Sequence, residues 1–320
     1  MTSLRCKLYP FSERRSFMTS DNRPIGIFDS GLGGLTSVRA LEKCLPDENI
    51  IYFGDTGRVP YGTRSNETII QYSMDDLAFL LRRNVKAVLV ACGTVSSIAL
   101  PTLSEMTDIP IVGVVEPACR NACKDALTDN GGIAGNIAIF GTQATAKNGA
   151  YTALIKKTNP AFNVSTVACP MFVPLAENGY IEKGNLITVE IAKEYVEKLR
   201  EFKPSSLILG CTHYPILRPN IEIACEKVLG YVPKITDAGE CAARSVKDML
   251  AEKGRLCIKR EEEYPKFYVS DETRNFTNIA SAFLGRSIRS VTRINITGQA
   301  QEIPGSIRNI SFNDDTENKE

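Results

Sequence analysis

Short apolar runs rich in Ile and Val alternate along the chain with longer stretches whose apolar residues recur at helical spacing. The runs are typical of buried strands, and the longer stretches are typical of amphipathic helices. Their regular alternation predicts an α/β fold with mainly parallel sheets. Strands are predicted at 24–28, 49–53, 87–91, 111–114, 137–140, 164–168, 206–209, 234–236, 266–269 and 290–293. Helices are predicted at 34–44, 66–83, 96–105, 117–127, 145–158, 186–202, 239–252 and 273–283.

A weak internal repeat divides this pattern into two halves. The run I-G-I-F-D-S at 25–30 is similar to I-A-I-F-G-T at 137–142, and V-L-V-A-C-G-T at 88–94 is similar to L-I-L-G-C-T-H at 207–213. Each half thus has two apolar strands that end in small polar residues, where parallel sheets bind their ligands. Two such halves facing each other would place Cys92 and Cys211 on opposite walls of one cleft.

Both cysteines stand directly after a predicted strand. Cys92 precedes a predicted helix, whose N-terminal dipole would favour the thiolate. Cys211 is followed by His213, the one histidine of the chain. A single cysteine at a strand end is more often a packed apolar residue, but the repeated arrangement favours a functional pair. The chain has ten cysteines, but a chain of this size without an export signal is not expected to be a disulfide framework. Their spacing does not fit a zinc site either, so no metal is expected.

The turn D-S-G-L-G-G at 29–34 opens the first predicted helix. Its backbone N–H groups suit a carboxylate or phosphate, although a tight strand-to-helix turn explains the glycines equally well. The turn lacks the dinucleotide fingerprint, because Thr36 stands where its last glycine should be. Asp29 is harder to explain by structure alone, since a carboxylate at a strand end costs free energy unless it is paired or used.

Charge and hydropathy exclude other classes of protein. A net charge of +1 gives no basic surface for nucleic acid, so no nucleic-acid partner is expected. No apolar run approaches the roughly 18 residues that span a bilayer, so no membrane association is expected. The N-terminal stretch lacks the apolar segment of a signal peptide. We therefore expect a cytoplasmic protein, with Met18 as an alternative start.

From about residue 24 to about residue 290, the chain resembles the glutamate racemases of bacterial cell-wall synthesis. The resemblance rests on several motifs in the same order, namely I-G-I-F-D-S-G-L-G-G, Y-F-G-D-T-G-R-V-P-Y-G, V-A-C-G-T, C-P-M-F-V-P-L-A-E-N-G, L-G-C-T-H-Y-P and F-Y-V-S-D. It implies two Rossmann-like (flavodoxin-like) α/β domains with an active-site cleft between them. Domain A is expected at 23–115 and 231–300, domain B at 116–230, and disordered ends at 1–22 and 301–320.

The resemblance also implies roles for individual residues. One cysteine removes the α-proton of glutamate, and the other donates a proton to the opposite face, so no cofactor is expected. The catalytic set is Cys92, Cys211, Asp29, His213 and Glu177. The substrate-binding set is Asp29, Ser30, Pro60, Tyr61, Gly62, Gly93, Thr94, Thr142, Thr212 and His213. The expected partners are glutamate, as a small-molecule substrate, and a second copy of the chain in a homodimer.

Gly93 departs from the family pattern, which commonly has asparagine after the first cysteine. Glycine offers only backbone at a position that contacts substrate, so the choice of substrate is left open. One alternative is a racemase of aspartate or another acidic amino acid from the same superfamily. Another is a catalytically weak homologue with a binding or regulatory role. Some glutamate racemases also act on DNA gyrase, so the resemblance leaves a second role open.

Overall fold

The computed structural model describes residues 20–129, 131–261, 263–271, 276–288, 290–296 and 298. The expected N-terminal extension as far as residue 19, the alternative start at Met18 and the expected tail at 301–320 lie outside these residues. Within them, no helix combines the length and the apolar character that crossing a bilayer requires.

All ten predicted strands are present, and their ends lie within two residues of the predicted positions. The strands are β1 (Ile25–Asp29), β2 (Ile50–Gly54), β3 (Ala87–Val90), β4 (Ile111–Gly113), β5 (Asn136–Gly141), β6 (Asn163–Ala168), β7 (Ser206–Leu209), β8 (Lys234–Asp237), β9 (Lys266–Val269) and β10 (Thr292–Arg293). Strands β1, β2, β3 and β7 are buried along their whole length. Their unbroken apolar runs arise because helices cover both faces of a parallel sheet.

The strands form two parallel sheets with equivalent topology. The first sheet has the order β10-β9-β2-β1-β3-β4, and the second has the order β6-β5-β7-β8. Every pairing in both sheets is parallel. The order β2-β1-β3-β4 in one half corresponds to β6-β5-β7-β8 in the other. The repeat predicted from the sequence is therefore confirmed, with β3 equivalent to β7.

The second half extends further along the chain than predicted. Strand β8 pairs with β7 from Ser206↔Lys234 to Leu209↔Asp237, so the second sheet continues beyond residue 230, where domain B was expected to end. Residues 231–237 thus belong to the second half and not to domain A. The chain returns to the first half only after Asp237.

Twelve α-helices lie within the described residues, and short 3₁₀ turns occur at Tyr61–Thr63 and Tyr214–Leu217. The helices are α1 (Leu35–Cys44), α2 (Asn66–Leu81), α3 (Gly93–Ile98), α4 (Leu100–Glu105), α5 (Val115–Asp129), α6 (Gln143–Asn148), α7 (Ala150–Thr158), α8 (Phe172–Glu177), α9 (Leu186–Glu197), α10 (Arg218–Leu229), α11 (Ala238–Glu252) and α12 (Phe276–Leu284). The sequence prediction omitted α8 and α10.

Two predicted helices are each divided in two. The helix predicted at 145–158 is interrupted by Gly149, whose φ of 69° lies in the left-handed region that favours glycine. The helix predicted at 96–105 begins earlier, at Gly93, and is interrupted at Ala99. Pro101, which has no backbone N–H, stands in the first turn of the second piece.

Helices α5 and α11 join the two halves. Helix α5 leads from β4 of the first sheet into the second half, and α11 leads back from β8. Helix α11 packs against both α1 and α5. One apolar cluster therefore continues through both halves, from β1 and β3 to β5 and β7.

Candidate active site

A cleft of about 420 Å³ lies where the carboxyl ends of the two sheets face each other. Its walls are formed by residues that follow β1, β2 and β3 in one half and β5, β6 and β7 in the other. In doubly wound sheets, ligands bind at this end of the strands. The cleft is lined by Ser30, Gly31, Val59, Pro60, Tyr61, Gly62, Thr63, Cys92, Gly93, Thr94, Thr142, Gln143, Pro170, Val173, Pro174, Glu177, Gly210, Cys211, Thr212, His213 and Tyr214.

Cys92 lies on the wall formed by the first half. Strand β3 ends at Val90, and Cys92 is the residue that caps the start of α3. Its thiol donates a hydrogen bond to Ser30 Oγ at 3.4 Å. Burial, and after it the charge of Asp29, raise the pKa of the Cys92 thiol to about 12. Burial thus outweighs the hydrogen bonds that lower this pKa, which is opposite to the effect expected from the helix start.

Asp29 lies behind this wall and does not line the cleft. Its buried Oδ2 accepts hydrogen bonds from the backbone N–H groups of Gly31 at 3.2 Å and Gly34 at 2.9 Å. Two N–H groups of the glycine turn thus bind the protein's own carboxylate. Burial raises the pKa of Asp29, while the charge of His213 and the backbone N–H groups oppose that rise. Asp29 is therefore not among the residues that line the cleft, and its expected contact with a substrate stays a prediction.

Cys211 lies on the opposite wall beside a hydrogen-bonded imidazole. Its Sγ is 3.8 Å from His213 Nδ1, and His213 Nε2 is 2.9 Å from Glu177 Oε1. Burial alone would lower the pKa of His213, but its hydrogen bonds with Cys211 and Glu177 raise that pKa to about 10. His213 therefore holds a proton within reach of the Cys211 sulfur at neutral pH. A proton could pass between these two groups.

Hydroxyl groups from both halves meet at the cleft. Thr94 Oγ1 of the first half lies 3.4 Å from Thr142 Oγ1 of the second half. Thr142 also caps α6, because its Oγ1 accepts a hydrogen bond from the Thr145 N–H at 3.2 Å. Thr36 of the first half donates a hydrogen bond to the carbonyl oxygen of Thr212 at 3.0 Å. The two halves are therefore in contact around the cleft.

Gly93 and Gly210, which are chain neighbours of the two cysteines, touch across the cleft. A Cβ atom added at Gly93 would overlap the carbonyl oxygen of Gly210. The chain neighbours of Gly93 and the backbone of its own helix are left aside here. No other described residue than Gly210 then has a heavy atom within 4 Å of the added Cβ. A side chain at position 93 would thus meet the backbone of the other half, which cannot rotate away.

The structure brings together all the residues predicted for the site except Asp29. It also adds residues that the sequence prediction omitted, notably Gln143, Pro170, Val173 and Pro174. Val173 and Pro174 precede Glu177 by four and three positions on α8, so they share a helix face with it. Recognising α8 in the C-P-M-F-V-P-L-A-E-N-G motif would have found them.

The cleft contains few charged groups. Apart from the thiols and the tyrosines, the titratable side chains among the described residues that line it are those of Glu177 and His213. None of these lining residues is Lys or Arg. A carboxylate bound here would therefore be held by hydroxyl and backbone N–H groups.

Comparison with known proteins identifies the family. The model of the Asp/Glu/Hydantoin racemase family matches residues 36–246. A glutamate racemase from Geobacter metallireducens is 40% identical over 279 residues, which cover 87% of this chain and 99% of that protein. The chain belongs to the glutamate racemase family. Family members are isomerases, so the protein is an enzyme of that class.

Other glutamate racemases agree with this assignment. The protein from Chlorobaculum tepidum is 40% identical over 85% of this chain and 96% of its own length. A crystal structure of glutamate racemase from Francisella tularensis in complex with D-glutamate has a TM-score of 0.77 and 34% identity, and covers 87% of this chain and 99% of that one. The two-domain fold is thus shared with glutamate racemases, and a small-molecule substrate is expected.

Proposed function

We propose that the protein interconverts L- and D-glutamate by proton transfer at Cα, with Cys92 and Cys211 as acid–base groups on opposite faces of the substrate. The observation that carries this proposal is that the two thiols follow equivalent strands, β3 and β7, and line one cleft. Two acid–base groups on opposite sides of one carbon atom are what inversion of that carbon requires.

The α-hydrogen of an amino acid is a very weak acid, so the site must supply a strong base and stabilise the negative charge that develops. On one wall, Cys92 is a thiol and can donate a proton. On the other wall, His213 can exchange a proton with Cys211, and Glu177 fixes the orientation of its ring. Hydroxyl groups such as that of Thr94 would bind the α-carboxylate, where charge accumulates in the transition state.

The first experiment tests racemisation directly. The purified protein is incubated with L-glutamate, and separately with L-aspartate, in heavy water. Circular dichroism follows the loss of optical activity, and proton NMR follows the loss of the α-hydrogen. We expect both changes with glutamate. The same changes with aspartate instead would retain the mechanism and replace the substrate, and no change with either would contradict the proposal.

Substitution of the cysteines tests their roles. Cys92→Ser and Cys211→Ser should each lower turnover by a factor on the order of 10³ or more, because a serine hydroxyl is a far weaker base than a thiolate. The matched control is Cys44→Ser on α1, whose cysteine is partly exposed outside the cleft and should keep wild-type activity. Full activity in either cleft variant would contradict the two-base scheme.

The family resemblance indicates that the D-glutamate formed would supply peptidoglycan synthesis. The homodimer and the cytoplasmic location expected from the sequence stay predictions. The mass of the protein in solution, measured by light scattering, would test the homodimer.

A further inference from the structure

A largely buried network of charged groups lies next to the loop 59–63, called here the cleft loop, which lines the cleft on the side of the first half. Arg58 is at its centre. The guanidinium group donates hydrogen bonds to Asp55 Oδ2 at 2.5 Å, Asp75 Oδ2 at 2.9 Å and Asp76 Oδ1 at 3.0 Å. None of these four side chains is among those that line the cleft. The mechanism proposed above does not use them.

Tyr61 connects the cleft loop to this network. The residue is only 1% exposed, and its hydroxyl group donates to Asp55 Oδ2 at 2.5 Å and lies 3.1 Å from Asp76 Oδ2. Tyr61 itself lines the cleft together with its chain neighbours Pro60 and Gly62. The Tyr61 side chain therefore anchors a segment that lines the cleft.

The network joins three elements of the first half. Asp55 directly follows β2, Asp75 and Asp76 belong to α2, and Ser270, which follows β9, donates to Asp55 Oδ1 at 2.6 Å. Charged groups that are buried together and hydrogen-bonded have few alternative arrangements, because a broken pair leaves a desolvated charge without a partner. The cleft loop is thus attached to elements that cannot easily move.

We infer that Arg58 and the Tyr61 hydroxyl are positioning groups that hold the cleft loop in the geometry that binds substrate. This inference rests on the proposed function, because it assigns the loop to the glutamate site. The groups themselves do not touch the substrate. Their removal should weaken substrate binding more than it slows the chemical step, since the two thiols lie on other segments.

The test removes one hydroxyl group and leaves the ring in place. Tyr61→Phe should raise KM for glutamate about tenfold while kcat changes less than about threefold. Backbone amide exchange of the peptide 56–65 should become faster. Arg58→Lys should raise KM at least as much, because an ammonium group cannot reproduce the geometry in which the guanidinium group donates to three carboxylates. The matched control is Tyr231→Phe, whose hydroxyl donates to the Pro204 carbonyl in the second half, outside the cleft, and which should behave as wild type.

The outcomes separate this inference from the proposed function. A wild-type protein that racemises glutamate, with KM and amide exchange unchanged in Tyr61→Phe, would overturn the inference alone. A fall in kcat with unchanged KM and unchanged exchange would also overturn it. A wild-type protein that does not racemise glutamate would overturn the proposed function. The amide exchange of Tyr61→Phe, which needs no activity, would then decide whether the hydroxyl holds the loop.

Discussion

His213 shows how much one residue can depend on its surroundings. Burial opposes a charge on the imidazole, yet the hydrogen bonds with Cys211 and Glu177 outweigh it and raise the pKa to about 10. On the other wall, burial keeps Cys92 protonated. The sequence identified both residues from their position after a strand, but it could not give their protonation, which depends on groups distant in the chain such as Glu177.

The pKa of His213 can be measured directly. Because the chain has one histidine, its ring C–H signals in proton NMR need no assignment. We expect titration near pH 10 in the wild type and at a clearly lower pH in Glu177→Gln. The exposed Glu201→Gln is the control and should titrate as wild type. Titration near the ordinary value of about 6.5 in the wild type would contradict this environment for His213.

The same shift predicts how stability depends on pH. A pKa that is higher in the folded state than in the unfolded state stabilises the fold fully below about pH 6.5. That contribution is lost as pH rises through about 10. The difference in unfolding temperature between wild type and Glu177→Gln should therefore be largest in mild acid and should shrink toward pH 11.

At the scale of elements, α10 shows what pattern reading omitted. The sequence marks both ends of this helix. Pro219 stands in its first turn, and Gly230 ends it in the left-handed conformation, with a φ of 81°. Its buried Asn220 has a further role. The side chain accepts a hydrogen bond from the Gly184 N–H at 2.7 Å and donates to the Glu182 carbonyl at 3.0 Å. It thus fixes the loop that follows α8, the helix that carries Glu177.

Substitution of Asn220 should therefore destabilise the second half. Asn220→Ala leaves the polar groups of this loop without partners, and we expect a loss of about 2–3 kcal/mol in the free energy of unfolding, measured by urea denaturation. Lys183→Ala, at an exposed position of the same loop, should change stability by less than about 0.5 kcal/mol. Equal effects of the two substitutions would show that the Asn220 hydrogen bonds do not hold the loop.

The strands could be predicted because their apolar runs are continuous, as in β1 and β3, and need only local information. The limit of the second half at Asp237 could not, because β8 is short and only its pairing with β7 assigns it to a sheet. The same holds for the buried pair of Lys86 and Glu48, whose Nζ and Oε2 atoms are 2.6 Å apart. Such contacts join segments that lie far apart in the chain, so no periodic pattern in the sequence reveals them.

At the scale of the whole molecule, Gly93 of one half lies so close to Gly210 of the other that a Cβ atom added at Gly93 would overlap the Gly210 carbonyl oxygen. Each glycine is next to one of the two cysteines, so a shift of the halves at this point would also change the separation of the thiols. Gly93→Ala should push the halves apart there and lower kcat by a factor on the order of 10², because proton transfer requires close alignment. Steady-state kinetics would measure the loss.

Gly26→Ala is the control for this substitution. The atoms nearest to its added Cβ would be side-chain atoms of Leu80 and Val85, away from the cleft, so kcat should be retained. Wild-type turnover in Gly93→Ala would show that the halves are not held by this contact. The usual asparagine of the family at position 93 should be as harmful as alanine in this chain, since both carry a Cβ.

The unlike environments of Cys92 and Cys211 have a consequence for the kinetics of a racemase. D- and L-glutamate are mirror images with the same free energy in water, so the equilibrium constant is one and kcat/KM must be equal in the two directions at every pH. The asymmetry of the walls therefore cannot enrich either enantiomer. It can appear only as kcat and KM values that differ between the directions by the same factor. The enantiomer that turns over faster at saturation must be the one with the higher KM.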